Sequence, residues 1–203
     1  MTEPRRPLHY LVLSAVCALA LLAAALYSHG RIARARHQLA LDALAGVLPR
    51  DSYDNDPLRD RILLTHPALG SAAPLPLLRA RRGGAPAALV VEAVAQGYAG
   101  PIRLHVGIAR DGRVLGVRVL SQQETPGLGD AFQRDGGYWL GRFDGRSLQD
   151  PVPEGWRLRR DGGEFDQFAG ATVTPRAIVL RLRDVLQAYA QDGEQWFAQP
   201  AQP

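Results

Sequence analysis

A chain of 203 residues with a 46% hydrophobic fraction has room for one ordinary domain plus extras, and for a real core. All 24 basic residues are arginine, and the one cysteine is Cys17, which excludes lysine-bearing phosphate loops, a Schiff-base lysine, intrachain disulfides, iron–sulfur ligation and cysteine-rich zinc sites. The net charge of +4 comes from arginines interleaved with 20 acids; the tight groups Arg79, Arg81, Arg82 and Arg157, Arg159, Arg160 read as solvated positions, and no nucleic-acid partner is expected.

From Leu8 to Tyr27 the chain carries no formally charged side chain. At a rise of ~1.5 Å per residue this run crosses a hydrocarbon core of ~30 Å. The apolar part of a signal peptide is usually ~7–15 residues, so the longer run reads as an uncleaved single anchor, with Cys17 a small apolar filler. Arg5 and Arg6 precede the run and Arg31, Arg34 and Arg36 follow it. Arginine counting therefore does not orient the anchor. Residues 31–48 place Leu41, Leu44 and Leu48 on roughly one helical face, and Pro49 ends that pattern. A polar turn follows around Asp54, Asn55, Asp56 and Pro57, and residues 66–88, rich in proline, glycine and alanine, are expected as surface loops.

The centre of the chain predicts β structure. Residues 87–96 form an apolar run that Gly97-Tyr98-Ala99-Gly100-Pro101 breaks. Ile102, Leu104, Val106 and Ile108 then alternate with Arg103, His105 and Gly107, a strand with one buried face. His105 falls on the polar face and is expected to meet solvent. Asp111-Gly112 signals a hairpin, with Val117 and Val119 alternating around Arg118 in the return strand. Near the end, Ile178, Leu182, Val185, Leu186 and Tyr189 share one helical stripe. Thr174 is the expected N-cap of that helix and Pro175 its first residue. The fold class is α+β: one N-terminal membrane helix, then a domain with a central antiparallel sheet and flanking helices.

Two stretches do not read as ordinary packing. The first, Ser121 to Asp130, compresses polar groups and glycines into a tight loop after the hairpin; on its residues alone it is a ligand loop or an elaborate turn. The second, Asp166 to Pro175, leads into the last helix. Its small residues at 169–171 allow close backbone approach, and the unpaired N–H groups of a helix start suit a phosphate; a plain capped helix start reads equally well.

These segments resemble the G subunits of the Rnf electron-transport complex and, more distantly, the C subunits of the sodium-translocating NADH:quinone reductase. The resemblance runs through the N-terminal anchor, Ser52-Tyr53-Asp54-Asn55-Asp56, Gly97-Tyr98, Gly100-Pro101-Ile102, Glu124-Thr125-Pro126-Gly127-Leu128-Gly129-Asp130 and Gly170-Ala171-Thr172. It implies FMN joined through a phosphoester to the threonine of a D-x-x-[S/T]-G-A-T pattern. Asp166, Gly170 and Ala171 match that pattern, and Thr172 falls on the flavinylated threonine; Ala169 departs from it, removing a hydroxyl. Thr174 and the loop residues Glu124, Thr125, Leu128 and Gly129 are the further expected flavin contacts.

Several broader expectations come with the resemblance. Residues 8–27 form the anchor, 28–48 a linking helix and 49–192 a periplasmic FMN-binding domain, with tails at 1–7 and 193–203. The protein sits in the inner membrane, receives its flavin from a separate flavin transferase and works among other subunits of an Rnf-type complex. That complex couples electron flow between ferredoxin and NAD to ion movement. No resident catalytic dyad and no metal site are expected, because such a protein relays electrons. An FMN-binding domain of a different membrane reductase or regulatory protein, and a membrane-anchored binding module without redox activity, are the other readings.

Overall fold

The structure is a computed structural model that describes residues 6–202. It divides into an N-terminal unit, Met1–Ala43, and a folded unit, Leu44–Pro203. Helix α1 runs without a break from Arg6 to Leu44, so the expected anchor and linking helix are one element. No proline or glycine pair interrupts the pattern after Tyr27 (Gly30 stands alone), and helix propagation needs nothing more. Leu11, Leu19, Leu21 and Leu26 are all exposed along its first half, and the helix is long and apolar enough to cross a membrane. At ~1.5 Å per residue it is about 58 Å long, roughly twice a hydrocarbon core.

The folded unit is built on a five-stranded antiparallel meander in the spatial order β1 to β5: Arg61–Leu64, Leu75–Arg82, Ala85–Gln96, Pro101–Ala109 and Val114–Ser121. Period-two alternation gives the sheet its buried face. Leu77, Leu89, Val91, Ala93, Leu104, Val106 and Ile108 point into the main core, with Leu89 opposite Ile108 and Leu104 opposite Val119 in register. The chain's last helix, Val173–Ala198, is α4; it lays Ile178, Leu182, Val185, Leu186 and Tyr189 onto that face. The expected stripe is the observed one, and each such side chain contributes about 1.5–3 kcal/mol by leaving water. The helix continues past residue 192 because Trp196 and Phe197 are buried in the same core.

A smaller core occupies the opposite face, where Leu44, Val47 and Leu48 cover Leu78, Ala80, Ala88 and Val90. Glycine makes that crossing feasible. Gly107 and Gly116 are direct partners on β4 and β5, and a Cβ on either would collide with the Gly46–Val47 backbone above them.

Three expectations change here. Residues 66–88 are not loops throughout: a 3₁₀ turn at Pro67–Leu69 is followed by β2 and the start of β3, joined at Gly83-Gly84. Leu75 and Leu77 on alternate positions reach the core, and this short period is masked by the surrounding glycine, proline and alanine. Arg79 is not solvated but 2% exposed. It is paired with Asp60 at 2.5 Å and donates to the Trp196, Phe197 and Gln199 carbonyl oxygens. Arg81 likewise meets Asp60 at 2.7 Å and donates to the Phe197 carbonyl. Both satisfy carbonyls at the end of α4 that have no partner within the helix. His105, expected in solvent, is half-buried between Glu92 and Arg118 in register. Burial lowers its pKa below the ordinary value, ahead of the opposing pull of Glu92.

Between β5 and α4 lie the short helices α2, Ala131–Arg134, and α3, Tyr138–Gly141, and long irregular stretches. An aromatic chain organises them. Phe168 meets Phe132 and Trp139 at ring centroid distances of 6.1 and 5.0 Å, and Phe143 stacks on Phe165 at 4.7 Å. These contacts hold the segment that leads into α4, which borders a cleft at the β3–β4 turn.

Candidate functional site

The cleft forms where three segments meet: the β3–β4 turn, the loop after β5, and the first turn of α4. Its volume is about 300 Å³, and it is lined by Tyr98, by Glu124, Thr125, Leu128 and Gly129, and by the run 170–174. All eight residues expected at a flavin site are in this lining: Glu124, Thr125, Leu128, Gly129, Gly170, Ala171, Thr172 and Thr174. Tyr98 and Val173, not among those expected contacts, line it too. For Tyr98 the available signal is a large aromatic residue in a glycine-flanked turn, within the Gly97-Tyr98 string.

Each segment has a local reason for its shape. In the loop after β5, the Thr125 carbonyl accepts from the N–H groups of Leu128 and Gly129, both at 3.1 Å, and Asp130 Oδ1 accepts from the Gly127 N–H at 2.8 Å. Gly127 sits at φ +85°, the left-handed region such a turn requires. Before α4, Phe168 and Ala171 face each other across a tight turn with Ala171 N–H on the Phe168 carbonyl at 3.2 Å. Gly170 supplies the positive φ, +77°, at the third position of that turn. Trp139 Nε1 donates to the Asp166 carbonyl at 2.8 Å and Arg159 pairs with the Asp166 carboxylate at 3.2 Å. The segment leading to Thr172 is thereby fixed from behind.

The floor is a buried carboxylate. Glu124 is 4% exposed, with Oε1 accepting from the Ala99 N–H at 3.1 Å and Oε2 from the Thr174 hydroxyl. Glycines wall it on both sides. A Cβ at Gly97 would overlap Oε1, and a Cβ at Gly129 would stand 2.5 Å from Oε2. One side chain thus ties the β3–β4 turn and the loop after β5 to the start of α4, where a negative charge is favourable.

Thr174 is therefore not the N-cap. The helix begins at Val173, with Thr172 in the capping position and making no side-chain capping bond. Thr174 is fully buried and its hydroxyl serves Glu124; Pro175 stays within the first turn, where an N–H has no intrahelical partner to lose. The two threonines are placed differently. Thr174 is sealed against Glu124, while the half-buried Thr172 keeps its hydroxyl free of the helix cap beside the open cleft. Replacing Thr174 by valine is expected to lower stability by about 1–3 kcal/mol, because a buried carboxylate oxygen loses its donor. Serine at that position should recover most of the loss, as read by denaturant midpoints.

The cleft has what a phosphorylated planar ligand needs. Its volume lies at the lower end of the ~300–1,000 Å³ range of small-molecule sites. The unpaired N–H groups of the first turn of α4 attract phosphate, and Gly170 and Ala171 leave room for it. Among the described residues, no group of three or more potential metal ligands occurs.

The stretch that lines the cleft falls within a known family. The family model for an FMN-binding domain matches residues 97–187, which include every lining residue of the cleft. The chain is 44% identical to the G subunit of the ion-translocating oxidoreductase complex of Pseudomonas aeruginosa, over 85% of this chain and 81% of the relative. It is 47% identical to the corresponding protein of Cereibacter sphaeroides, over 82% and 74%, and 44% identical to that of Stutzerimonas stutzeri, over 95% and 83%. A solved structure of the C subunit of the sodium-translocating NADH-quinone reductase from Parabacteroides distasonis is 21% identical, with a TM-score of 0.43 over 64% of this chain and 65% of that one.

Proposed function

Because the chain belongs to the family of G subunits of the ion-translocating oxidoreductase complex, we propose that it carries FMN as a phosphoester on Thr172, inside the cleft formed with Glu124, Thr125, Leu128 and Gly129. The chain is a membrane electron-transfer subunit with an FMN-binding domain. The observation that carries the finer reading is the division between the two hydroxyls. Thr174 is sealed against Glu124, while Thr172 makes no capping bond and opens on the cleft.

When bound, FMN supplies electron transfer in single or paired steps. The protein's own residues position it. Gly170 and Ala171 allow the phosphate to approach the backbone, and the N–H groups of the first turn of α4 meet its charge. Leu128, 47% exposed at the cleft, covers an apolar ring face. The Thr125 hydroxyl and backbone groups of the loop reach ring heteroatoms. Glu124 holds the three segments together from beneath.

The wider reading has the domain in the periplasm, loaded by a flavin transferase, relaying electrons among the other subunits of an Rnf-type complex that couples ferredoxin and NAD to ion movement. A covalent tether suits that placement, since flavin lost outside the cytoplasm is not replaced. Two measurements test it. A reporter fused to the C-terminus should behave as exported, and a cytoplasmic reporter would overturn the orientation. Peptide mass spectrometry over residues 161–176, after co-expression with a flavin transferase, should find FMN less one water on Thr172; finding it on Thr174 would overturn the attachment site.

A further inference from the structure

We propose that Tyr98 is the stacking platform of this site, its phenol ring lying against the planar heteroaromatic ring of the flavin. The inference rests on the reading that FMN is held at Thr172. Three large side chains around one cleft remain exposed, Tyr98 at 76%, Leu128 at 47% and Val173 at 43%. They come from three different segments. Scattered exposed apolar residues need no explanation, but a cluster around a single concavity marks a binding surface.

Tyr98 is the one aromatic among the ten lining residues, and its backbone is fixed on both sides. The Gly97 N–H donates to the Gly100 carbonyl at 2.9 Å, and the Ala99 N–H donates to Glu124 Oε1 at 3.1 Å. At Gly97 there is no space for a Cβ between Glu124 and Ile102, so the turn lies directly against the cleft floor. A rigid turn therefore holds out an aromatic ring that contributes little to the core. Tyrosine has only two side-chain torsions to order, so a flat partner fixes it at small entropic loss. Aromatic pairs favour offset stacking, and aromatic walls recur in small-molecule sites.

The readout is optical. A phenol in contact with an excited flavin donates an electron and takes it back without emission, leaving both groups unchanged, so stacking appears as quenching. The test uses the full chain co-expressed with a flavin transferase and purified in detergent. Flavin emission of the native protein is divided by that of the same sample after denaturation. Wild type should give a low ratio, and Tyr98→Ala and Tyr98→Leu should each raise it severalfold. Leucine keeps apolar cover without the phenol, which separates quenching from exclusion of water. Tyr98→Phe should fall between. FMN present on the 161–176 peptide with the same ratio in wild type, Tyr98→Ala and Tyr98→Leu overturns the stacking role alone. Absence of FMN from that peptide in wild type overturns the attachment reading and this inference with it.

Discussion

Thr172→Val is expected to abolish covalent flavin while the domain keeps its fold. Valine has the shape of threonine and replaces only the hydroxyl by a methyl group. That hydroxyl makes no capping bond, so helix α4 loses no cap, and at a half-buried position the added methyl costs little. In-gel flavin fluorescence after denaturation should fall to background, while thermal unfolding stays within about 2 °C of wild type, the shift of a change well under 1 kcal/mol. Thr174→Val should behave in the opposite sense, destabilised but still fluorescent. Serine at 172 keeps an oxygen in the same place and should retain part of the signal. Persistent covalent flavin in Thr172→Val would move the attachment elsewhere. A collapsed fold would mean that the hydroxyl has a structural partner.

The parts of this molecule legible in the sequence are those written in a single period. The α4 stripe and the alternation of Ile102, Leu104, Val106 and Ile108 each repeat long enough to be read, and both are buried as the pattern requires. Residues 131–165 carry no such period. Their order comes from Phe132, Trp139, Phe143, Trp156 and Phe165 at irregular spacing, meeting only in three dimensions. The β2 strand hides for a different reason. Its arginines look solvated, yet Arg79 is buried because the end of α4, 117 residues further on, presents carbonyls to it. No local signal announces so distant a partner.

The site shows the same division. That the loop 121–130 and the segment 166–175 differ from ordinary packing is visible in their glycines and compressed polarity; that they share one cleft is not. The contact joining them, Thr174 to Glu124, spans 50 residues and reassigns Thr174 from helix cap to buried donor. A threonine directly before proline is an ordinary helix-start signal. What overrides it is a carboxylate buried beside the helix start, which must find donors or be expelled.

Gly129→Val should be the most damaging single change in the loop. The backbone there is not in the left-handed region, so the objection is space alone. A Cβ would stand 2.5 Å from Glu124 Oε2, 2.9 Å from Glu124 Cβ and 3.2 Å from Thr174 Oγ1. Glu124 has no retreat, because Gly97 closes its other side. The carboxylate must therefore leave the Thr174 hydroxyl, the Ala99 N–H or both. Overpacking costs about 1–3 kcal/mol and a buried group left unpaired about 1–3 kcal/mol more. A loss near 3 kcal/mol corresponds to a fall in Tm of about 6–12 °C for a domain of this size. Flavin emission should rise as well, since the turn bearing Tyr98 loses its tie to the floor. The cause can be isolated by a second substitution. Glu124→Ala removes the carboxylate and leaves only the Cβ contact, so adding Gly129→Val to it should cost at least about 1 kcal/mol less than adding it to wild type. Strict additivity of the two changes would show that valine does its damage somewhere other than at this carboxylate.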